Sequence, residues 1–387
     1  MKKRTVILVA SLLGGAVCIC AAVIGMIVGF GGSGSQSQPA ESVMGTVGNG
    51  FIVRSREETE IWISLPDEND DHWAKAGGDL KMLLENLGYP VTLSYARGDA
   101  QEQADQMVEA IEEGADCLIV AAVDSTALYD AALLAHQNRI PVVAYDRLLM
   151  DTEAVSYYVA YDYKAMGAAI AEAIVTKKSL AQAQPEESHT IELFMGSPES
   201  SNALLLYQGV MEVLQPYFDS GVLVSKSGRT AFEDTCVIDW APEGAAVALK
   251  GYLAEYYQED APEILCTVSD SFADVCIAVL EEAGWSYENW PVITGMGATE
   301  TATEHLQTGL QTMTVKTDLL ALNERCVQTV DDMLTGKTPE LNDTQSCYNH
   351  VAVVPAYLCE FTPLITQVTP SETKSEEAET APSATEQ

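Results

Sequence analysis

The stretch DCLIVAAVDSTALYDAALLAHQNRIPVVAYDR, residues 116–147, holds the repeating unit that decides the fold. An apolar run at Asp116–Ala121 is followed by a helix-like segment and then by a second apolar run at Val142–Tyr145. Two parallel strands need a long crossover between them, and that crossover is usually a helix. The order strand, helix, strand therefore predicts neighbouring strands of a parallel sheet with a right-handed crossover.

The same rhythm extends over most of the chain. Helix-like segments such as Trp73–Leu87 and Gln101–Glu113 separate further short apolar runs. The length of 387 residues also exceeds the usual size of one hydrophobic core. We therefore predict an α/β fold with two Rossmann-like lobes, each built on a parallel sheet. The predicted strands are 60–65, 91–95, 116–121, 142–145, 157–160, 191–195, 222–226, 264–268, 292–294 and 313–316.

The charge of the chain is strongly acidic, with 57 Asp and Glu against 20 Lys and Arg and a formal net charge of −37. Such a surface repels the phosphates of nucleic acids, so we expect no nucleic-acid partner. A calcium loop of the D-x-[DN]-x-[DN]-G type is absent from the sequence, and dispersed acidic residues are typical of a soluble surface. A hydrophobic content of 47% indicates a folded centre.

Motifs for metals, cofactors and catalysis are sparse. None of the nine cysteines lies in a C-x-x-C pair, and we expect Cys117, Cys266 and Cys276 to be buried as small apolar residues, with a disulfide elsewhere left open. The sequence contains no H-E-x-x-H, no G-x-S-x-G and no nucleotide-binding glycine loop. We expect no cofactor, no metal site and no catalysis, although paired glycosidase carboxylates stay open among so many acids.

The two ends of the chain differ in composition from the centre. Lys2, Lys3 and Arg4 precede an apolar run at Val6–Phe30 that is long enough to cross a bilayer as a helix. Residues 1–30 are therefore a predicted signal anchor that places the rest on the outer face of the membrane, with a cleaved signal peptide or a lipidated Cys18 as alternatives. We predict a flexible linker at 31–58 and a disordered acidic tail at 363–387.

Polar and aromatic side chains follow several of the predicted strands. In parallel sheets, ligands bind outside the carboxyl ends of the strands, so these residues are the candidates for a binding site. A sugar needs planar hydrogen-bonding groups for its hydroxyls and aromatic rings for its apolar faces. The candidates of both kinds are Trp73, Asp124, Asp146, Arg147, Asn202, Trp240, Asp270 and Lys316.

Four sequence blocks make a family resemblance specific. They are YDR at 145–147, GSPESSNA at 196–203, YFDSGVLVSKSG at 217–228 and LNDT at 341–344. In this order they resemble the xylose-binding and multiple-sugar-binding group of periplasmic receptors over about residues 60–362. The resemblance implies two lobes joined by three crossing strands, an aldose monosaccharide in the cleft between them, and delivery by a monomer to the permease of an ABC transporter.

The resemblance also assigns roles. It implies that Trp73 and Trp240 stack on the sugar and that the remaining candidates contact its hydroxyls. The chain departs from the group at three places, where His72 replaces an arginine, Tyr161-Asp162-Tyr163 replaces Phe-Asp-Asn, and Gly295-Met296-Gly297 replaces Gly-Gln-Asp. His72 is a further candidate for ligand contact. The departures leave open a different sugar, or a ligand that is not a sugar.

Six of the candidates also have an interpretation without a ligand. Asp146 and Arg147 could form a structural ion pair, and the two tryptophans could belong to the core, where large aromatic residues usually lie. Lys316 could form a salt bridge at the hinge. His72 could be a solvated turn residue.

The division into lobes follows from the resemblance. The N-terminal lobe is predicted to comprise 59–162 and 298–316, the C-terminal lobe 163–297 and 317–362, with hinges near Asp162, Ala298 and Lys316. A sensory subunit that presents a sugar to a membrane kinase or chemoreceptor is the alternative function. A transcription regulator of the same fold would need a DNA-binding helix-turn-helix, which the apolar N-terminus and the acidic charge argue against.

Overall fold

A computed structural model of the chain describes residues 45–46, 52–366 and 368. Its strands are β1 (Gly45–Thr46), β2 (Ile52–Val53), β3 (Ile61–Leu65), β4 (Val91–Tyr95), β5 (Cys117–Val120), β6 (Val142–Tyr145), β7 (Val155–Tyr161), β8 (His189–Phe194), β9 (Leu223–Val224), β10 (Ile264–Thr267), β11 (Val292–Ile293), β12 (Met313–Lys316), β13 (Ala356–Cys359) and β14 (Thr362–Ile365). Its α-helices are α1 (Asp71–Asn86), α2 (Ala100–Glu113), α3 (Tyr129–Gln137), α4 (Tyr163–Lys177), α5 (Ser201–Ser220), α6 (Phe232–Thr235), α7 (Pro242–Tyr256), α8 (Asp270–Glu282), α9 (Glu300–Thr308) and α10 (Leu319–Leu334).

The first lobe is built on a six-stranded parallel sheet in the order β13-β7-β6-β5-β3-β4. Every residue of the central strands β5 and β6 is buried, which explains why both are uninterrupted apolar runs in the sequence. Helices α1, α2, α3 and α10 pack on this sheet. The predicted parallel α/β fold is confirmed.

The second lobe is built on a parallel sheet in the order β11-β10-β8-β9. Strand β12 extends this sheet, because the N–H of Thr312 donates to the carbonyl of Ile293 at 2.7 Å and the N–H of Val315 donates to Gly295 at 3.2 Å. Strand β14 pairs antiparallel with β12 at the edge. Helices α4, α5, α7, α8 and α9 belong to this lobe.

The strand pairing differs from the predicted division into lobes. Residues 298–316 end in β12, which lies beside β11 in the second sheet, whereas 317–362 contain α10 and β13, and β13 pairs with β7 in the first sheet. The chain therefore passes between the lobes at Asp162, at 317–318 and at 360–361. Ala298 lies inside the second lobe, where its N–H donates to Thr314 Oγ1 at 3.2 Å. Apolar runs show that strands exist, but they do not show which sheet edge each strand joins.

The predicted linker and tail each include ordered residues at the end next to the lobes, and most of the rest of both segments lies outside the described residues. Near the end of the linker, Arg54 pairs with Asp116 at 2.7 Å, and Arg56 bonds both carboxylate oxygens of Asp331, at 2.8 and 3.0 Å. At the other end, β14 orders residues assigned to the tail. The predicted anchor at 1–30 lies outside the described residues. Within the described ranges, the helices lack the combined length and apolar character that a membrane span requires.

The seven cysteines of the described region are all free thiols, so the disulfide left open by the sequence does not form there. Cys117, Cys266 and Cys276 are fully buried, as predicted. Burial raises the pKa of these thiols, which therefore stay protonated and unreactive.

Candidate ligand-binding site

Asp146 is the centre of a polar cluster at the carboxyl end of β6. Its backbone has a φ of +61°, an uncommon value for a residue other than glycine, and hydrogen bonds on both sides hold it there. Its N–H donates to the carbonyl of Val159 at 2.8 Å, and the hydroxyl of Tyr158 donates to its own carbonyl at 2.9 Å. This backbone conformation turns the Asp146 carboxylate toward the second lobe. Backbone strain of this kind often marks a functional residue.

The carboxylate of Asp146 collects side chains from both lobes. Oδ2 lies 3.1 Å from Nε2 of His72, in the first turn of α1. Oδ1 accepts a hydrogen bond from the hydroxyl of Tyr163 and a longer one, 3.4 Å, from Nδ2 of Asn202. Tyr163 is the first residue of α4 and Asn202 the second residue of α5, both in the second lobe, so the carboxyl-end loops of the two sheets meet at this carboxylate.

The charges of the cluster are coupled. Burial alone would raise the pKa of Asp146, but His72, the Tyr163 hydroxyl and the Arg147 charge hold it below its usual value. For His72, partial burial favours the neutral ring, yet the bond to Asp146 and the nearby carboxylates raise its pKa overall. Both pKa shifts favour the charged form of their residue and so favour the ion pair. Burial lowers the pKa of Arg147.

Arg147 and Trp73 form one wall of the cluster. The guanidinium of Arg147 lies 5.0 Å from the centre of the Trp73 ring, within cation–π range. Its Nη1 donates to the carbonyl of Ala122 at 3.0 Å, which leaves further N–H groups of the fork for another acceptor. Trp73 itself is only 4% exposed and packs in the core of the first lobe.

Trp240 and Asp270 each lie near the carboxyl end of a strand in the second sheet, Trp240 beside Gly196 after β8 and Asp270 at the start of α8 after β10. The Trp240 ring stacks on Phe272 with 6.0 Å between ring centres, and it covers Gly196, where a Cβ atom would lie 2.0 Å from the indole. Asp270 is buried, and its Oδ1 accepts from Thr314 Oγ1 at 2.7 Å and from Gln311 Nε2 at 2.8 Å. Burial raises the pKa of Asp270 against the effect of these donors.

The structure joins some of the predicted site residues and not others. Contacts in the described region connect His72, Asp146 and Asn202 in one group and place Arg147 on Trp73. Trp240 stacks on Phe272, whereas the Asp270 carboxylate bonds Thr314 and Gln311 within the second lobe. Asp124 accepts from the N–H groups of Thr126 and Ala127, at 2.8 and 3.2 Å, and so stabilises its own turn. Lys316 is exposed at the end of β12 and faces the groove beside Asp318 and Glu360.

Tyr163 is a member of the cluster that sequence analysis recorded only as a departure from the related group. Its side chain is buried and its hydroxyl donates to Asp146, a role for which no motif is known. The one available signal was its place directly after Asp162, where the chain leaves the first sheet. Among the residues that the structure describes, no group of three or more His, Cys, Asp or Glu side chains is placed to hold a metal ion.

Comparison with known proteins decides the family. The periplasmic binding protein domain matches residues 61–338. The chain belongs to this family. The multiple sugar-binding periplasmic receptor of Rhizobium radiobacter is 32% identical over 300 residues, which cover 77% of this chain and 84% of that protein. The D-xylose-binding periplasmic protein of Escherichia coli is 27% identical over 76% of this chain and 83% of its own length.

A solved structure supports the same family. The solute-binding protein of an ABC transporter from Clostridium phytofermentans, with bound β-D-glucose, is 31% identical and has a TM-score of 0.74, covering 84% of this chain and 98% of that one. The fold is therefore that of the type I periplasmic binding proteins. The family and the relatives named here are binding proteins, so the chain is a binding protein and not an enzyme.

Proposed function

We propose that this protein captures an aldose monosaccharide between its two lobes and delivers it to the permease of an ABC transporter. The relatives named above carry multiple-sugar-binding or D-xylose-binding names, and the C. phytofermentans structure holds β-D-glucose. Capture requires only binding and release, and ATP would be hydrolysed by a separate subunit. This division of labour fits a chain without a nucleotide-binding motif.

The observation that carries the proposal is the convergence of polar groups from both lobes on Asp146. Asp146 supplies a carboxylate acceptor, His72 and Arg147 supply cationic donors, and Asn202 supplies an amide. This combination is suited to sugar hydroxyls. Two candidate residues of the second lobe, one in the Asp146 cluster and one stacked on Phe272, also have unused hydrogen-bonding capacity in the described region. The Oδ1 of Asn202 and the Nε1 of Trp240 are buried without a protein partner. A polar ligand would satisfy such groups, whose burial is otherwise costly.

The mechanism would use the three passages between the lobes as hinges. Closure is favoured when a ligand contacts both lobes, because the closed state then gains contacts that the open state lacks. Asp146 and Arg147 would hold the sugar from the first lobe, and Asn202 and Trp240 from the second. Docking on the permease would reopen the clamp and release the sugar.

Two further parts of the proposal concern location and assembly. We propose that residues 1–30 anchor the protein to the outer face of the cytoplasmic membrane and that it acts as a monomer. Carbonate-washed membranes of cells that express the full chain should retain it, and a variant without residues 1–30 should not be retained. Light scattering of the detergent-solubilised protein should give the mass of one chain after subtraction of the detergent.

Isothermal titration of the full chain with D-xylose, D-glucose and D-galactose tests the function. At least one sugar should bind. Asp146→Asn should lower the affinity for that sugar by ten-fold or more, because the charged acceptor is lost from a buried site. Asp99→Asn, which alters an exposed N-cap of α2, should leave the affinity unchanged. A folded protein that binds none of a broad monosaccharide panel at millimolar concentration would refute the proposal.

A further inference from the structure

A cavity of about 470 Å³ lies between the lobes on the flank formed by α4 and α5. Its opposite wall comes from the first lobe, from the loop after β6 and from residues 346–350 before β13. Asp146, Trp240 and Asp270 do not line it. The cavity therefore lies beside the proposed sugar site and shares Tyr163 with the Asp146 cluster. Its volume lies in the range of small-molecule pockets, about 300–1,000 Å³.

Apolar side chains make up most of the cavity wall. Leu148 and Met150 line it from the first lobe, and Leu204 and Leu205 from the second. The rings of several tyrosines, among them Tyr158, add flat apolar surface. A wall of this kind favours a ligand with an aromatic or aliphatic body, because burying such a body removes apolar surface from water.

The charged residues of the wall already have partners within the protein. Lys164 pairs with Glu212 at 2.6 Å, and His350 lies 3.0 Å from Asp151. Asp162 accepts from the N–H of Ala165 at 2.9 Å. In contrast, Ser201 lines the cavity and its buried Oγ has no hydrogen-bond partner in the described part of the chain. The ligand that fits these groups is uncharged and carries a polar group such as a hydroxyl.

We propose that this cavity is a second binding site, for an uncharged amphipathic molecule such as an aromatic or aliphatic alcohol. The site itself does not rest on the sugar-binding function. Because the walls come from both lobes, its shape depends on the angle between them. Tyr163 and Ser201 line it, while the Tyr163 hydroxyl bonds Asp146 and Ser201 precedes Asn202. A molecule that fits the cavity stabilises this arrangement of the lobes and thereby strengthens sugar binding.

Fluorescence anisotropy of 2-naphthalenemethanol, a neutral alcohol of suitable size, tests the site on the full chain without any sugar. Ala168 on α4 lines the cavity, and Ala168→Phe should weaken probe binding by ten-fold or more by filling the space. Ala254→Phe adds the same ring on the exposed face of α7 and should not change the binding. The N-terminal apolar run could also bind probe, but this binding would be the same in every variant and would not affect the comparison. Equal titrations for both variants would overturn the proposal.

Alkylation of the unaltered protein provides a second measurement that needs no folded variant. Cys347 lines the cavity and Cys236 does not, and burial raises the pKa of each thiol to about 12. Mass spectrometry measures the rate at which N-ethylmaleimide alkylates each cysteine. The probe should slow the reaction of Cys347 several-fold and leave the rate at Cys236 unchanged. Equal rates at Cys347 with and without probe would contradict binding in the cavity.

The coupling between the two sites rests on the proposed sugar-binding function. Saturating probe should lower the dissociation constant of the sugar by about five-fold or more, the lower end of typical couplings between sites. An unchanged sugar affinity would overturn the coupling. Failure of every sugar to bind would overturn the proposed function instead, and the probe titration would still stand.

Discussion

The side chain of Ser125 in the first lobe caps helix α5 in the second lobe. Its Oγ accepts a hydrogen bond of 2.8 Å from the N–H of Ser201, the first residue of that helix. Ser200, at the usual capping position, makes no side-chain cap. A second bond joins the same loops, since the N–H of Ser125 donates to the carbonyl of Glu199 at 3.0 Å. The contact between the two lobes thus supplies the cap that the helix itself lacks.

Ser125→Ala should weaken ligand binding without removing a ligand contact. A hydrogen bond contributes about 0.5–1.5 kcal/mol net, so the dissociation constant should rise about two- to ten-fold as closure becomes less favourable. Isothermal titration measures the affinity, and small-angle X-ray scattering should show a larger radius of gyration without ligand.

Ser286→Ala is the matched control for that variant. Ser286 caps a single helical turn inside the second lobe, where its Oγ accepts from Glu288 N at 3.2 Å. This substitution should lower local stability by a similar amount and leave both the ligand affinity and the radius of gyration unchanged. Identical behaviour of the two variants would show that the Ser125 bond does not control closure.

The sequence predicted the sheets because local patterns specify them. Strands β5 and β6 are buried on both faces, so their apolar runs leave little ambiguity about their structure. The position of Asp146 followed as well, because a polar residue directly after a buried strand must lie at the carboxyl edge. Both inferences depend only on residues that are close together in the sequence.

Other features depend on contacts between distant parts of the chain. Strand β13 joins the first sheet through β7, which lies almost 200 residues earlier, and no local pattern encodes that choice. The same applies to Ser125 and Tyr163, whose partners lie in the opposite lobe. Strand β14 overlaps the predicted tail at 363–387 and contains Pro363, and it lies at a sheet edge, where proline is tolerated.

His72→Gln should remove one component of the pH dependence of stability. The folded-state pKa of His72 is raised, so the ion pair with Asp146 stabilises the fold fully below the ordinary pKa of 6.5 and loses this effect as the pH rises through the folded value. The pKa of Asp146 is lowered, so its own contribution is present above its ordinary value of 3.8 and is lost as the pH falls through the folded value. Because His72 is partly exposed, the effect should be at most about 1 kcal/mol.

Thermal denaturation at pH 6 and pH 8.5 measures this change. The parent protein should lose stability between the two values, and His72→Gln should lose less. His136→Gln, at an exposed histidine on α3, should behave like the parent. A steeper loss in His72→Gln than in the parent would contradict the ion pair.

Trp240→Ala should reduce sugar affinity by ten-fold or more, about 1.4 kcal/mol or above, as expected for a large aromatic contact. The indole is only partly buried, and its Nε1 has no protein partner in the described region. Trp290→Ala is the control, because Trp290 donates to the carbonyl of Leu310 at 2.9 Å and supports the second lobe. That variant should lower the melting temperature and keep the affinity. The reverse pattern would assign Trp240 to the core.

Gly209→Ala should destabilise the fold by about 1–3 kcal/mol, the usual range for overpacking a tight contact. Helices α4 and α5 approach so closely that a Cβ on Gly209 would lie 1.9 Å from the carbonyl oxygen of Lys164, and one on Gly167 would lie 2.1 Å from that of Leu206. Backbone atoms cannot rotate away as a side chain can, so the helices must separate.

Gly251→Ala provides a control of opposite sign, because Gly251 lies inside α7 with nothing within 4 Å of an added Cβ. Alanine there should stabilise the protein by up to about 1 kcal/mol through helix propensity. Urea denaturation of the two variants measures both changes, and a Gly209→Ala protein as stable as the parent would show that the contact can relax.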